Sequence, residues 1–457
     1  MASSPQLQIF DEPKSKVPML DQRFAKLKKS FVKPEHKQHV IDSYQRLCSV
    51  LQDETDFIAR NGPYMIPEID FELVRKNGGS LPSDLADLIR DRGCVILRNV
   101  VEEEQAVKWE KELNEYTQLH PNVGGFPADN PQTWTLWWTP AQVQIRGHPR
   151  VLEAMNCVSK LWKVSDQTAL IDLSSQAVYP DRFRIRYPST DTPYIVPPHL
   201  DGGAIERWED PVNRSNYAAI FEGNWQDWDG WVADKRINAK SDLYFNGSSC
   251  SCWRSLQGWL SLSHCNTGEG TLRLLPSLKA SVAYTMLRPL FQYDIFDDTQ
   301  PTFPGSTPGH FQFWPTDEFH PHLAMEISLV GIPPVKPGDY AFWHSDLIHE
   351  VDKFHPGKHN SSVVYNGCVP LTPYNIDSLV SARGAFRKVA VPRDFAESPH
   401  LKELEAEHED HGAKLENIWS EQGMRAMGLL PLDVDEQGLT EGQREVRRLA
   451  NTKLGFK

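Results

Sequence analysis

The chain has 457 residues, enough for one large or two or three ordinary domains. With 40% hydrophobic, 24% charged and 10% aromatic residues, it has an ordinary globular composition and the material for a core. Its formal net charge of −13 argues against nucleic acid or an anionic membrane as a general partner, since either calls for a basic face.

The first residues form no apolar run of the kind a secretory signal needs, and no window approaches the length of apolar sequence that spans a bilayer. Residues 1–18 are polar and Pro-bearing and read as a loose arm. From Leu20 to Ile58 apolar residues recur at helical spacing (Phe24, Leu27, Phe31, then Val40, Tyr44, Leu47, Leu51), with Pro34 separating two helices. A helix over Leu81–Ile89 then opens the core, capped by Ser80 or Ser83 and ended near Arg92-Gly93. A buried strand follows at Cys94–Val100. Glu102 to His120 read as a helix whose acid-rich start suits the helix dipole. Residues 121–150 form a Trp-rich loop (Trp134, Trp137, Trp138), and Val151 to Val164 a helix. Ala169–Leu173 and Arg182–Tyr187 are strands. The second alternates strictly and sets Arg182, Arg184 and Arg186 on one face.

Residues 203–250 are a long insertion with Trp208, Trp225, Trp228 and Trp231, candidate walls or lids for a cleft. Trp253–Leu262 and Thr271–Pro276, joined by the turn Asn266–Gly270, are expected to form a hairpin. Residues 285–325 are irregular. Pro337-Gly338-Asp339 turns into the strand Tyr340–His344, and Ser361–Asn366 is a further strand. Residues 398–457 read as a charged helical tail laid on the surface. The expected divisions are an arm and helical layer over 1–80, a core over 81–397 and the tail over 398–457. Short strands flanked by helices predict a mainly β core, a double-stranded β-helix or jelly roll of the cupin type, with added helices at both termini.

The stretch with the most chemistry is Pro197-Pro198-His199-Leu200-Asp201-Gly202-Gly203. In extended chain, residues i and i+2 face the same side, so His199 and Asp201 can close on one ion. Two His and one carboxylate on one face of a metal form the triad of non-haem Fe(II) oxygenases. On the tripeptide alone, a hydrogen-bonded pair in a surface loop is the commoner outcome. A second His must come from a distant strand, and the candidates run from His264 to His359. His349 is favoured, because a tight turn and a buried aromatic strand precede it and set its imidazole at the barrel mouth. His344 reads as a core histidine bonded to a carbonyl, and His355 and His359 as solvated loop residues.

The seven cysteines are scattered and form no zinc-type pair; Cys250-Ser251-Cys252 reads as two strand thiols. A reducing, cytoplasmic setting fits this usage.

Three segments resemble the Fe(II)/2-oxoglutarate dioxygenases of the phytanoyl-CoA dioxygenase type: His199-Leu200-Asp201, Gln257 to Pro276, and Pro337 to His349. Four more, Phe183 to Pro188, His199 to Gly203, Phe221 to Trp225 and Ala426 to Leu429, are similar to a domain-of-unknown-function family of bacterial and fungal proteins. That family is assigned to the same oxygenase fold. The resemblance implies Fe(II) on His199, Asp201 and His349, 2-oxoglutarate as co-substrate, and hydroxylation of a small molecule. Enzymes of this type usually hold the distal carboxylate of 2-oxoglutarate with an Arg or Lys on the strand after the distal His. Here that region, Gly357 to Val363, has no Arg. The anchor is therefore sought among Arg184, Arg186 and Arg254, with Ser362 offering a hydroxyl. Two rival readings are a metal-holding, cupin-like ligand sensor without turnover, and a scaffold in which His199 and Asp201 only hydrogen-bond.

Overall fold

The computed structural model describes residues 17–245, 250–310 and 312–456, so most of the expected N-terminal arm lies outside the described residues. The chain is a mixed α/β fold around an eight-stranded sheet. At its centre Leu256–Ser261, buried at every position, pairs antiparallel with Tyr340–His344 on one edge and Ser361–Tyr365 on the other. Cys94–Arg98 and, in parallel, Glu68–Asp70 extend the first side. Phe183–Arg186, Thr133–Trp134 and Gly125–Phe126 extend the second. A separate sheet joins Val330–Gly331, Leu272–Leu274 and His349–Val351. Single backbone bridges, His199 to His349 and Leu200 to Phe313, widen it further.

The expected hairpin is not formed. Leu256–Ser261 belongs to the large sheet and Leu272–Leu274 to the small one, so the turn between them carries the chain from sheet to sheet. Period-2 patterning reads each strand but not its partner, which is how the pairing was misassigned.

Helices are not confined to the ends of the chain. Pro140–Arg146, Pro149–Ser159 and Leu278–Leu287 lie between strands. Leu278–Leu287 is buried at every position but Lys279, so it shows no amphipathic stripe for a period search to find. It packs against Lys37–Asn61, whose buried stripe is Val40, Tyr44, Leu47, Leu51 and Ile58, as the sequence spacing predicts. Neither expected serine caps the helix Ser83–Arg92: Pro82 holds the N-cap position without a side-chain bond.

The tail is less superficial than expected. Arg447, on the helix Glu441–Lys453, is buried and donates to the wholly buried Asp172 at 2.7 Å. Among the described residues no helix is long and apolar enough to cross a membrane. The tryptophans of the two Trp-rich segments serve packing. Trp137, Trp138, Trp208, Trp225, Trp228 and Trp231 are all buried in one apolar cluster with the N-terminal helices and sheet strands.

The turn before Tyr340–His344 is tied down twice. The buried Asp339 carboxylate accepts from the Asn99 N–H at 3.0 Å, from Arg98 at 2.6 Å and from the Lys336 N–H at 3.1 Å. Gly338, at φ +89°, lies so close to the Val101 carbonyl that a Cβ would stand 2.1 Å from its oxygen. Gly338→Ala is expected to lower the thermal midpoint well beyond Gly268→Ala. Gly268 shares the left-handed φ but has nothing within 4 Å. The control bears only the conformational strain of about 1–3 kcal/mol, and the Gly338 variant adds a backbone clash. Equal midpoints in a thermal melt would show that the close approach carries no weight.

Candidate metal centre

His199 and His349 meet through two backbone hydrogen bonds, His199 N–H to the His349 carbonyl at 2.9 Å and the reverse at 3.2 Å. A directly opposed antiparallel pair of this kind puts both side chains on one face. Their ring centroids are 4.1 Å apart. Asp201 follows two residues after His199, and its Oδ1 lies 3.6 Å from His199 Nε2. One ligand atom from each of His199, Asp201 and His349 falls within 4.8 Å of the others. Two other groupings, Cys48–Asp294–His322 and His120–His408–Asp410, each lean on an exposed carboxylate.

The local sequence explains the placement. Proline fixes φ at 197 and 198 ahead of His199, and Gly202 and Gly203 follow Asp201 at φ +82° and +83°. A Cβ on Gly203 would lie 2.4 Å from the Ser241 carbonyl oxygen, so only glycine passes there. Arg207 then clamps the motif from outside, donating to the Asp201 carbonyl at 2.6 Å and the Gly203 carbonyl at 3.1 Å.

The donor atoms are in the state a metal needs. His199 Nδ1 lies 2.8 Å from the Pro197 carbonyl, and His349 Nδ1 lies 3.0 Å from that of Leu347. A carbonyl only accepts, so both Nδ1 atoms carry a proton and Nε2 is the ring nitrogen turned toward the shared face, the orientation typical of metal-bound imidazoles. Burial, with the adjoining His199, pushes His349 down to about 3, which keeps it neutral. Burial alone would push the Asp201 carboxyl up. The Arg254 guanidinium, the two imidazoles and a hydrogen bond from Gln312 outweigh it and hold the group well below the usual carboxylate range. Arg254 donates to Oδ2 at 3.1 Å and Gln312 to Oδ1 at 2.7 Å. Each carboxylate oxygen still has a second lone pair to offer.

These groups line a cavity of about 200 Å³ with aromatic walls that include Tyr179, Tyr194, Trp259 and Trp343. The expected anchors fall in three different places. Arg184 lines the cavity and is 2% exposed, and its Nε and Nη2 meet no acceptor among the described residues. Arg186, two residues on, instead gives both Nη atoms to the carbonyls of Asp352 and Lys353, leaving only Nε without an acceptor among the described residues. Arg254 lines the cavity but is spoken for by Asp201. Ser362 is paired with Ile185, on the face opposite Arg184, and its hydroxyl donates to Glu110 at 2.6 Å. His344 is a core residue, stacked on Trp162 and donating to the Gly230 carbonyl at 3.1 Å. The sequence reading missed Arg207 and Gln312. Gln312 sits in a stretch without regular spacing, and nothing short of the fold brings it to Asp201. Gln257 Nε2 and Trp343 Nε1, both on cavity-lining residues, are two more buried donors that meet no acceptor among the described residues.

The chain is similar to proteins from bacteria and a fungus. It matches the crystal structure of GlcNAc Inducible Gene 2, GIG2 (DUF1479), from Candida albicans, with 37% identity, 96% of each chain covered and a TM-score of 0.87. It also matches the crystal structure of a hypothetical protein, JW0805, from Escherichia coli. There the identity is 25%, with 91% of this chain and 100% of that one covered and a TM-score of 0.76. The uncharacterized protein YbiU of Escherichia coli is 29% identical over 354 residues, which are 75% of this chain and 82% of YbiU. The Gig2-like family model spans residues 18–429, and the chain belongs to that family.

Proposed function

We propose that the protein is a non-haem Fe(II)/2-oxoglutarate-dependent oxygenase that hydroxylates a small molecule in the cytoplasm. His199, Asp201 and His349 would hold the metal on one face, and Arg184 would take the distal carboxylate of the co-substrate. When bound, the iron and 2-oxoglutarate supply O₂ activation, with succinate and CO₂ as co-products of the hydroxylation.

One observation carries this reading: a triad of two imidazoles and a carboxylate shares a cavity with a buried guanidinium whose Nε and Nη2 meet no acceptor among the described residues. A buried charge without a partner is costly, and a site that keeps one is built for the opposite charge. A guanidinium and a carboxylate pair through two parallel hydrogen bonds. The missing basic residue of the strand after His349 has a stand-in, since Arg184 is registered directly opposite Val363 on that strand. Opposed residues share a face. The unpartnered N–H groups of Gln257 and Trp343 add donors for an acceptor-rich ligand.

The strand path supports a jelly-roll core. From Phe183–Arg186 onward the chain visits the large sheet, the small sheet at His199, the large, then the small sheet twice (Leu272–Leu274 and Val330–Gly331). It then returns to the large, the small and the large again. Alternation between two sheets is the jelly-roll signature. The protein's own part in the reaction is to orient the two imidazoles through Pro197 and Leu347, keep Asp201 ionised through Arg254, and hold the co-substrate at Arg184. The rival sensor reading draws on Arg254, which already neutralises Asp201 without any metal.

Anaerobically Fe(II)-loaded protein exposed to air should form succinate from 2-oxoglutarate. His199→Ala and Asp201→Ala should each lower that rate at least about 100-fold. Iron bound at the triad with no succinate formed, across a panel of candidate substrates, would favour the sensor. Separately, Arg184→Met should weaken 2-oxoglutarate binding to the metal-loaded protein by about 10- to 100-fold, the worth of a charge-assisted bidentate pair. Arg186→Met should cost stability instead and leave that affinity within about twofold, because its donors are used by backbone carbonyls. Calorimetric titration of both variants reads the difference, and equal losses would remove Arg184 from the role.

A further inference from the structure

The wall of the same cavity holds chemistry that the oxygenase reading leaves unused. Cys250 and Cys252 are 6% and 2% exposed, and their Sγ atoms lie 3.5 Å apart. Of the seven thiols, Cys250 alone lines the main cavity. Cys250, Cys252 and Arg254 also share a smaller cavity that touches Asp201. The residue between the two cysteines is pinned. The Ser251 N–H donates to the Asp394 carboxylate at 2.7 Å, and the same oxygen accepts from the Tyr179 hydroxyl at 2.9 Å.

We propose that Cys250 and Cys252 form a redox-active dithiol, oxidised to a disulfide by a small hydroperoxide that enters the cavity and reduced again by an external thiol. The Cys250 thiolate attacks the peroxide, an S–O bond forms, the O–O bond breaks, and water leaves a sulfenic acid behind. Cys252 then attacks that sulfur, an S–S bond forms, and the hydroxyl departs as a second water with the Cys252 proton. Two thiols and one hydrogen peroxide become one disulfide and two waters, sulfur being oxidised and peroxide oxygen reduced.

Geometry sets the pair apart from the other cysteines. The two sulfurs are already in contact, and Cys250 is the one thiol that lines the cavity shared with His199, Asp201 and His349. The surroundings also choose the attacking sulfur. A hydrogen bond from Cys252 and the Arg254 charge hold the Cys250 thiol below its ordinary value against the effect of burial, whereas burial pushes Cys252 well up. Cys48, the most exposed of the seven, is pushed up to about 12 by burial of its thiol. A disulfide across one intervening residue closes a small, strained ring, and strained disulfides are the readily reduced ones. None of this needs iron, so the proposal stands or falls apart from the oxygenase reading.

The test uses full-length, metal-free protein treated with stoichiometric hydrogen peroxide, then alkylated and mapped by mass spectrometry. The expected result is a loss of two hydrogens, a Cys250–Cys252 bond, Cys48 alkylated as a free thiol, and full reversal by dithiothreitol. In Cys252→Ser, with Cys252→Ala as a second variant, dimedone should capture a sulfenic acid at Cys250. Its capture there should be about tenfold faster than at Cys48. Oxidation of Cys48 ahead of the pair, free thiols at 250 and 252 under excess peroxide, or no capture at Cys250 in a variant with native circular dichroism would each overturn the proposal.

Discussion

Two backbone hydrogen bonds between His199 and His349 are the constraint on which the site depends. The residues are far apart in sequence; His349 opens a strand and His199 lies on an isolated bridge, where the pairing could have slipped. The reciprocal pairing removes that freedom, because a shift of one residue would send one imidazole to the opposite face. With the pair locked, Asp201 reaches the same face two positions on. The turn must then leave at once, which explains Gly202 and Gly203 at positive φ and the Arg207 clamp on the two carbonyls. The surrounding residues serve this one registration, and their cost is met by the buried apolar cluster that runs beneath both sheets.

Arg184 and Arg186 make an internal comparison. They lie on one strand, point to one face and are equally buried. Arg186 gives both Nη atoms to carbonyls and keeps only Nε unmet among the described residues, with the Tyr194 ring 5.0 Å from its guanidinium. Arg184 is left with two nitrogens unmet in the cavity. A protein that needed both arginines only for packing had backbone acceptors at hand for one and none for the other. The asymmetry is what singles out Arg184 in the proposed reading, and it separates two residues that strand alternation alone treats as equivalent.

The elements legible in the sequence are those whose pattern is local. The stripe on Lys37–Asn61, the strand Cys94–Arg98, the alternation at Phe183–Arg186 and the aromatic strand Tyr340–His344 all fall where periodicity places them. His199, Asp201 and His349 also come together, since His-x-Asp is a local pattern and His349 follows a strong turn. What could not be read depends on contact between distant segments. The sheet change after Ser261, the buried helix Leu278–Leu287 without an amphipathic stripe, and the Gln312 contact to Asp201 have no local signature. The choice among the arginines is the same kind of problem, because it turns on which carbonyls happen to lie within reach.

The charges in the cavity bear on how its ligands would bind. Arg182, Arg184 and Arg254 face Asp181 and Asp201 there, three guanidiniums against two carboxylates, a surplus of one positive charge. A divalent cation entering alone would raise that surplus in a buried space, where unpaired charge is expensive. A dicarboxylate entering with it would return the balance to its starting value. The Arg254–Asp201 contact works in the same direction, since it stabilises the carboxylate before a cation arrives and competes with the cation afterwards. On the proposed reading the triad by itself would be a modest metal site, and the same triad with an anion on Arg184 would be a much better one. Metal and dicarboxylate affinity would then be coupled, each ligand supplying the charge that the other's binding leaves exposed.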